Sequence, residues 1–185
     1  MCIRDRAYAL GDPTAKRAHR LSLNPLRHID WIGFFMMIVA GFGWAKPVPV
    51  NPNYFKKPKE GMAITALAGP VSNFLLALAL LLAARLVYLR ALMTGTLPET
   101  LFSFLVNTAS LSVGLGLFNL VPVPPLDGSK VAAVLLPDRA YNWLMRYEQL
   151  GMVLLVVIIS VGIGSNALDA AIRWVFELFC RIVGF

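Results

Sequence analysis

The chain has 185 residues, 58% of them hydrophobic, with a mean hydropathy of +0.68 and a formal net charge of +7. A soluble domain is about 45–50% apolar, so the composition excludes an ordinary soluble domain and indicates a polytopic membrane protein. The Lys and Arg residues stand in short loops between apolar segments without forming a folded basic domain, which argues against nucleic-acid binding and suggests loops facing anionic lipid.

Residues 1–28 are polar and basic, with Arg4, Arg6, Lys16, Arg17, Arg20 and Arg27. They contain no apolar core of a signal peptide, so no secretory signal is expected. Cys2 and Cys180 lie at opposite ends of the sequence, and neither a metal pair nor a disulfide is expected of them. Residues 29–45 form a first apolar segment, about 25 Å long as a helix, against a hydrocarbon core of about 30 Å. Lys46-Pro-Val-Pro-Val-Asn-Pro52 follows. Alternating prolines forbid helix there and favour an extended, strand-like backbone. After Lys56, Lys57 and Lys59 comes a long apolar segment, 62–92, with Gly69-Pro70 near its start and Arg85 and Arg90 near its end.

A third segment, 101–121, carries no charge but holds Asn107, Ser110, Ser112, Gly114, Gly116 and Asn119. Small and polar residues of this kind belong at helix–helix contacts in membranes, not on lipid faces. Residues 122–149 read as a proline-rich turn and then an amphipathic, interfacial stretch with Tyr141, Trp143 and Tyr147. Residues 150–163 form a fourth apolar segment. Residues 168–185 mix Arg173, Glu177 and Arg181 with aromatic residues, and their sequence is compatible with lying on the interface or crossing beside other helices.

Loop charge orients these segments. Residues 93–100 contain no Lys or Arg, whereas the preceding loop has four Lys and the following one has Lys130, Arg139 and Arg146. The positive-inside rule puts the basic loops in the cytoplasm and 93–100 outside. The basic N-terminal region also belongs inside, so segment 29–45 has both ends on one side and is expected to be re-entrant, lining a cavity. The expected fold is an all-α membrane bundle of four to five segments, one re-entrant, with a short extended or β-like stretch.

Asp127 is the most informative residue. It ends the run Asn119-Leu-Val-Pro-Val-Pro-Pro-Leu-Asp127-Gly128, just past an apolar helix. Pro-Pro-x-Asp-Gly is ordinary turn chemistry. Equally, an ionisable group at the membrane edge suggests function, and a carboxylate can ligate zinc. Asn119 either satisfies helix-terminal backbone groups or presents an amide donor to a developing oxyanion. Ala68-Gly69-Pro70-Val71-Ser72-Asn73 reads as a helix start, with proline in the first turn, or as a site that places Asn73 inside the bundle. Residues 43–52 read as an interfacial anchor around Trp44 and Lys46, or as a strand edge that clamps an extended substrate. His19 and His28 are nine residues apart, not at the i, i+4 spacing of two helical zinc ligands, and are not expected to bind metal.

Four stretches in order resemble bacterial site-2 proteases, intramembrane zinc metalloproteases, in a compact branch without a PDZ domain. They are Leu10-Gly-Asp-Pro-Thr-Ala-Lys16 with Leu23-Asn-Pro-Leu26, then 43–52, then 68–73, and 119–128. The resemblance covers roughly residues 7–165. It implies Zn2+ as cofactor, Asp127 as the third zinc ligand, and Asn119 in oxyanion stabilisation. It also implies that Asn73, Gly69, Pro70 and Pro122 support the site. In such enzymes a His-Glu-x-x-His helix supplies two ligands and a general base, and zinc lowers the pKa of its bound water towards about 7. Ala7-Tyr8-Ala9-Leu10 resembles the end of that helix. The second His would then fall near Ile3, and the first His and the Glu before Met1.

Residues 1–6 are therefore expected to be foreign, and 7–185 a single protease-like domain truncated at its front and inactive alone. A membrane pseudoprotease that binds substrate helices and a small transporter subunit are the competing readings. Expected partners are membrane-spanning protein substrates and the lipid bilayer of a bacterial cell, with Asp127 near the cytoplasmic side.

Overall fold

The computed structural model describes residues 2–19, 21, 29–40, 50–137, 151, 155, 157, 162 and 164–185. The chain divides into two units, Met1–Thr65 and Ala66–Phe185, with the division inside one long helix. Every regular element among the described residues is helical.

In the first unit, α1 spans Cys2–Ala9 and so includes most of the stretch expected to be foreign. It ends at Gly11, whose φ of +104° suits glycine. Gly11 N–H donates to Tyr8 O and Asp12 N–H to Ala7 O, the paired bonds of a Schellman motif. A short α2, Thr14–Arg17, follows. The next helix, α3, is Trp31–Ala40, with Asp30 Oδ1 accepting from Ile32 N–H at 3.0 Å and Gly33 N–H at 3.3 Å at its start. Of the extended stretch 46–52, residues up to 49 lie outside the described residues. Asn51 is extended, with φ −111° and ψ 109°, and leads into a 3-10 turn, Pro52–Tyr54.

The long helix α4 runs Pro58–Thr94 and is followed by α5, Glu99–Leu120. At 37 residues, α4 is about 55 Å long, which exceeds a hydrocarbon thickness of about 30 Å. Proline 70 lies well inside α4, buried, and does not start the helix as the sequence suggested. Its missing N–H and ring would break a helix in water, but membrane helices tolerate it where nearby hydroxyls take up the freed backbone groups. The carbonyl left without its helical donor is Ala66 O, whereas Ser72 Oγ donates to Gly69 O at 2.7 Å.

The core of the second unit is a three-helix seam. Ala77 and Leu81 of α4 meet Ala109 and Val113 of α5, and Leu117 packs beside them. The third helix, α7 (Ser165–Val183), adds Ile172, Val175, Phe176, Phe179, Cys180 and Val183. Gly114 approaches Ile172, while Phe102 meets Phe185, so α7 runs antiparallel alongside α5. That lengthwise contact resolves what sequence left open: α7 packs against the bundle. On α5 the buried residues are Ala109, Ser112, Val113 and Gly116. Their i, i+3, i+4, i+7 spacing makes one helical face, and small residues dominate it, as expected of a membrane helix contact. Asn107 departs from that expectation and is exposed.

The opposite faces are apolar and uncovered. Leu75, Leu82 and Leu86 on α4 are more than half exposed, as are Phe104 and Leu111 on α5. In the most apolar windows of α4 and α5 only 17% and 28% of residues are buried. A core helix of a soluble protein is mostly buried, so these two helices have the length and surface of membrane spans. The fourth segment, 150–163, and the aromatic stretch at Tyr141, Trp143 and Tyr147 fall almost wholly outside the described residues.

Candidate functional site

At Leu120 the helix α5 stops because the next residues cannot continue it. Val121 turns extended, with ψ 129°, and Pro122, Pro124 and Pro125 have no N–H to donate. Val123 N–H donates to Val121 O at 2.8 Å, and Leu126 N–H closes a turn on Val123 O at 2.9 Å around the cis Pro124–Pro125 bond. Asp127 then opens α6, Asp127–Ala132, instead of sitting in a turn. The start of α6 is secured from within: Ser129 is buried, and both its N–H (3.1 Å) and its Oγ (2.7 Å) donate to Leu126 O.

The reversal is tight enough to press α6 onto the end of α5. A Cβ placed on Gly128 would lie 2.1 Å from Leu120 O and 2.6 Å from Val121 O. Only glycine permits that approach. It also joins the two residues singled out by sequence: Asn119 and Asp127 are eight apart in the chain, yet each is one residue from the Gly128–Leu120 contact.

The carboxylate of Asp127 is mostly covered, its side chain 19% exposed, and Lys130 Nζ stands 3.8 Å from Oδ1, one turn along α6. This geometry keeps a negative charge at a helix start, where the backbone dipole favours it. Asn119 uses its side-chain amide on its own helix, Nδ2 donating to Leu115 O at 2.8 Å. An amide NH2 carries two donors, and this bond occupies one of them.

On α4, Asn73 is half-buried beside Phe74. The Phe74 ring fills the notch at Gly116, where a Cβ would lie 2.7 Å from its Cε1. Asn73 is thus next to the α4–α5 crossing, one turn short of Asn119. Gly69 and Pro70 occupy the preceding turn of α4, and Pro122 is exposed at the start of the reversal. His19 is exposed in the other unit with φ +53°, and His28 is outside the described residues. Two clefts of about 470 and 460 Å3 lie at the far end of the α4–α5 pair, around Pro98 and Leu101. A helix length of about 33 Å separates them from Asp127, so they are not this site.

Among the described residues no three His, Cys, Asp or Glu side chains converge on a point that could hold a metal. A catalytic zinc needs three protein ligands and one open position. Asp127 offers one oxygen donor of suitable chemistry, so these residues do not make a complete zinc site, and no hydrolytic step follows from them alone.

One charged residue went unrecognised as structural in the sequence. Asp12 is wholly buried, and its carboxylate accepts Thr14 N–H at 2.9 Å, the Thr14 hydroxyl, and Asn51 N–H at 2.8 Å. Asp-Pro-Thr ahead of a short helix is a capping signal; the partner 39 residues away has no local signal.

The family model described as Peptidase family M50 matches residues 32–162. A protein of Bacillus subtilis (strain 168) described as "Putative zinc metalloprotease YwhC" is 40% identical over 168 residues, covering 88% of this chain and 74% of that protein. No solved structure matches the chain. A match over most of the sequence by a metalloprotease family, together with apolar helices and the reversal that carries Asp127, identifies the chain as a member of peptidase family M50, the site-2 proteases, whose zinc-dependent hydrolysis takes place within the membrane.

Proposed function

We propose that the chain is the membrane-embedded part of a site-2-type zinc metalloendopeptidase that cuts membrane-spanning proteins in regulated intramembrane proteolysis. Asp127 is the zinc ligand contributed by this part, and Asn119 is the donor to the developing oxyanion. Asn73, Gly69, Pro70 and Pro122 shape the site around them. The observation that carries this reading is the Gly128–Leu120 contact, which holds a mostly covered carboxylate at the end of the apolar helix that carries Asn119. Zinc, when bound in the intact enzyme, supplies an acidified water and polarises the scissile carbonyl. This chain's residues supply the carboxylate, the amide donor and the apolar walls.

The remaining parts of the reading follow from charge and length. The bacterial cell membrane is its setting, with Asp127 near the cytoplasmic face, where Lys130 and the neighbouring basic loops prefer to stay. The apolar segment 29–45 is re-entrant, which the basic stretches on both sides of it favour. The 185 residues contain no His-Glu-x-x-His, so the chain is inactive by itself.

The test is to join a membrane helix carrying His-Glu-x-x-His ahead of Ala7 and to compare it with the chain as it stands. Metal content and cleavage of a membrane-spanning substrate are measured in nanodiscs. The extended protein should hold one zinc per chain and cleave, and Asp127→Asn should remove both properties. Stoichiometric zinc and cleavage by the 185-residue chain alone would overturn the reading.

A further inference from the structure

Asp12 plays no part in the chemistry above, yet it is the most completely buried acid among the described residues, at 0% exposure. Its three donors are two groups of Thr14 and the backbone N–H of Asn51, with no cation among the described residues to balance it. Burying a carboxylate without a cation is costly, and such a group persists only where hydrogen bonds satisfy it. The two oxygens divide the work. Oδ1 caps α2 through Thr14, a local role any Asp before a helix can play. Oδ2 reaches across to Asn51, where the backbone is extended.

Further contacts tie the same two stretches. Arg17 Nη1 donates to Tyr54 Oη at 3.2 Å, and the backbone of Gly11 approaches Tyr54 O closely enough that a Cβ would be 3.6 Å away. Asn51 is itself held from the other side, its Oδ1 accepting Asn53 N–H at 3.0 Å. The extended residue is therefore clamped by a charge-assisted bond on its N–H and by a cap on its side chain.

We infer that Asp12 is a positioning residue for substrate, fixing the extended backbone at Val50–Asn51 to the end of α1. The inference rests on the proposed function, in which a helix carrying His-Glu-x-x-His runs into Ala7 and ends at residues 7–10. An extended backbone binds an unwound peptide by strand-like pairing, and a fixed edge binds more tightly than one that must first be ordered. Ordering one freed backbone residue costs about a factor of ten in affinity.

The test separates the two carboxylate arms. In Asp12→Asn a single amide oxygen can serve Thr14 or Asn51 but not both, and Thr14 presents two donors against one from Asn51. In Thr14→Val only the hydroxyl bond to Oδ1 is lost. The probe is a fluorescent Leu/Ala membrane-spanning peptide of about 20 residues with a central Asn-Pro break, titrated against the full chain in nanodiscs. Hydrogen exchange at Asn51 and along α5 is followed in the same samples.

D12N should bind the peptide about tenfold more weakly, with faster exchange at Asn51 and unchanged protection of α5. T14V should bind like the parent. Equal binding by D12N and parent overturns the inference alone. So does an equal loss in T14V, or a general loss of protection in D12N, since either makes Asp12 merely structural. A parent chain that does not bind the peptide overturns the proposed function and this inference with it.

Discussion

Replacing Gly128 with alanine tests the geometry at Asp127 most directly. The added methyl would stand 2.1 Å from Leu120 O, 2.3 Å from Leu120 C and 2.6 Å from Val121 O, where ordinary contact begins at 3.4 Å. All three obstacles are backbone, so no side chain can swing aside; α6 must retreat from α5 by more than an ångström. Overpacking of this kind costs about 1–3 kcal/mol, and the displacement exceeds the tolerance of about 0.2 Å expected of a metal ligand. Gly114→Ala is the control. It lies on the same helix pair, but its Cβ would meet only Ile172 Cδ1 at 3.6 Å, an ordinary contact. Removing a helical glycine there should stabilise by about 0.5–1 kcal/mol. Reversible unfolding in mixed micelles, followed by circular dichroism, should therefore move in opposite directions for the two variants. A Gly128→Ala protein as stable as the parent would refute the close approach and the site built on it.

Three further outcomes are expected. Gly116→Ala drives a methyl to 2.7 Å from Phe74 Cε1, and Phe74 is backed by Phe179 at 6.1 Å; the loss should be about 1–3 kcal/mol, with the additional change Phe74→Leu recovering much of it in the same unfolding assay. Ser72→Ala deletes the 2.7 Å bond to Gly69 O within its own helix and should change stability by less than about 0.5 kcal/mol, since such back-bonding adds little to a helix; a loss several times larger would mean that Ser72 meets a partner outside α4. Leu111→Lys places a charge on an uncovered face of α5, 63% exposed at Leu111. In an insertion assay it should cost about 2.5–3.5 kcal/mol if that face meets lipid, whereas a water-facing position would change stability by less than about 0.5 kcal/mol.

Much of the bundle could be read from the residues because hydropathy and length act locally. The segments 62–92 and 101–121 became α4 and α5 with their ends shifted by a few residues, and the small residues of α5 marked its packing face. Proline 70 misled the reading because first-turn preference is a rule of helices in water, while a membrane helix can carry proline in its interior. The α7 helix stayed undecided because its composition fits both an interfacial and a packed position; only the neighbours Ile172 and Phe179 find in α4 and α5 discriminate. At the candidate site, Asp127 stood out by its chemistry. The Gly128–Leu120 approach and the Asp12–Asn51 bond did not, since each depends on two stretches meeting in space and leaves no spacing in the sequence to find.

The arrangement at Asp127 also bears on how a membrane protease can keep a carboxylate ready. The contacts described around it run from Leu115 to Lys130: Asn119 on its own helix, Gly128 on Leu120, Ser129 on Leu126 and Lys130 on Asp127 itself. All are short in sequence and lie within the unit Ala66–Phe185. A local hairpin of this kind loses little chain entropy on closing and forms as soon as α5 ends at its prolines. In the proposed function, the carboxylate's position is then set by the termination of one helix and does not depend on the histidines of another. Metal binding draws together ligands that must be deprotonated and correctly placed, and a ligand already fixed lowers the ordering required when the others arrive. On the proposed function, the neighbouring Lys130, 3.8 Å away, would suit that interval: it moderates the negative charge, and its flexible stem would let it yield to a stronger cation.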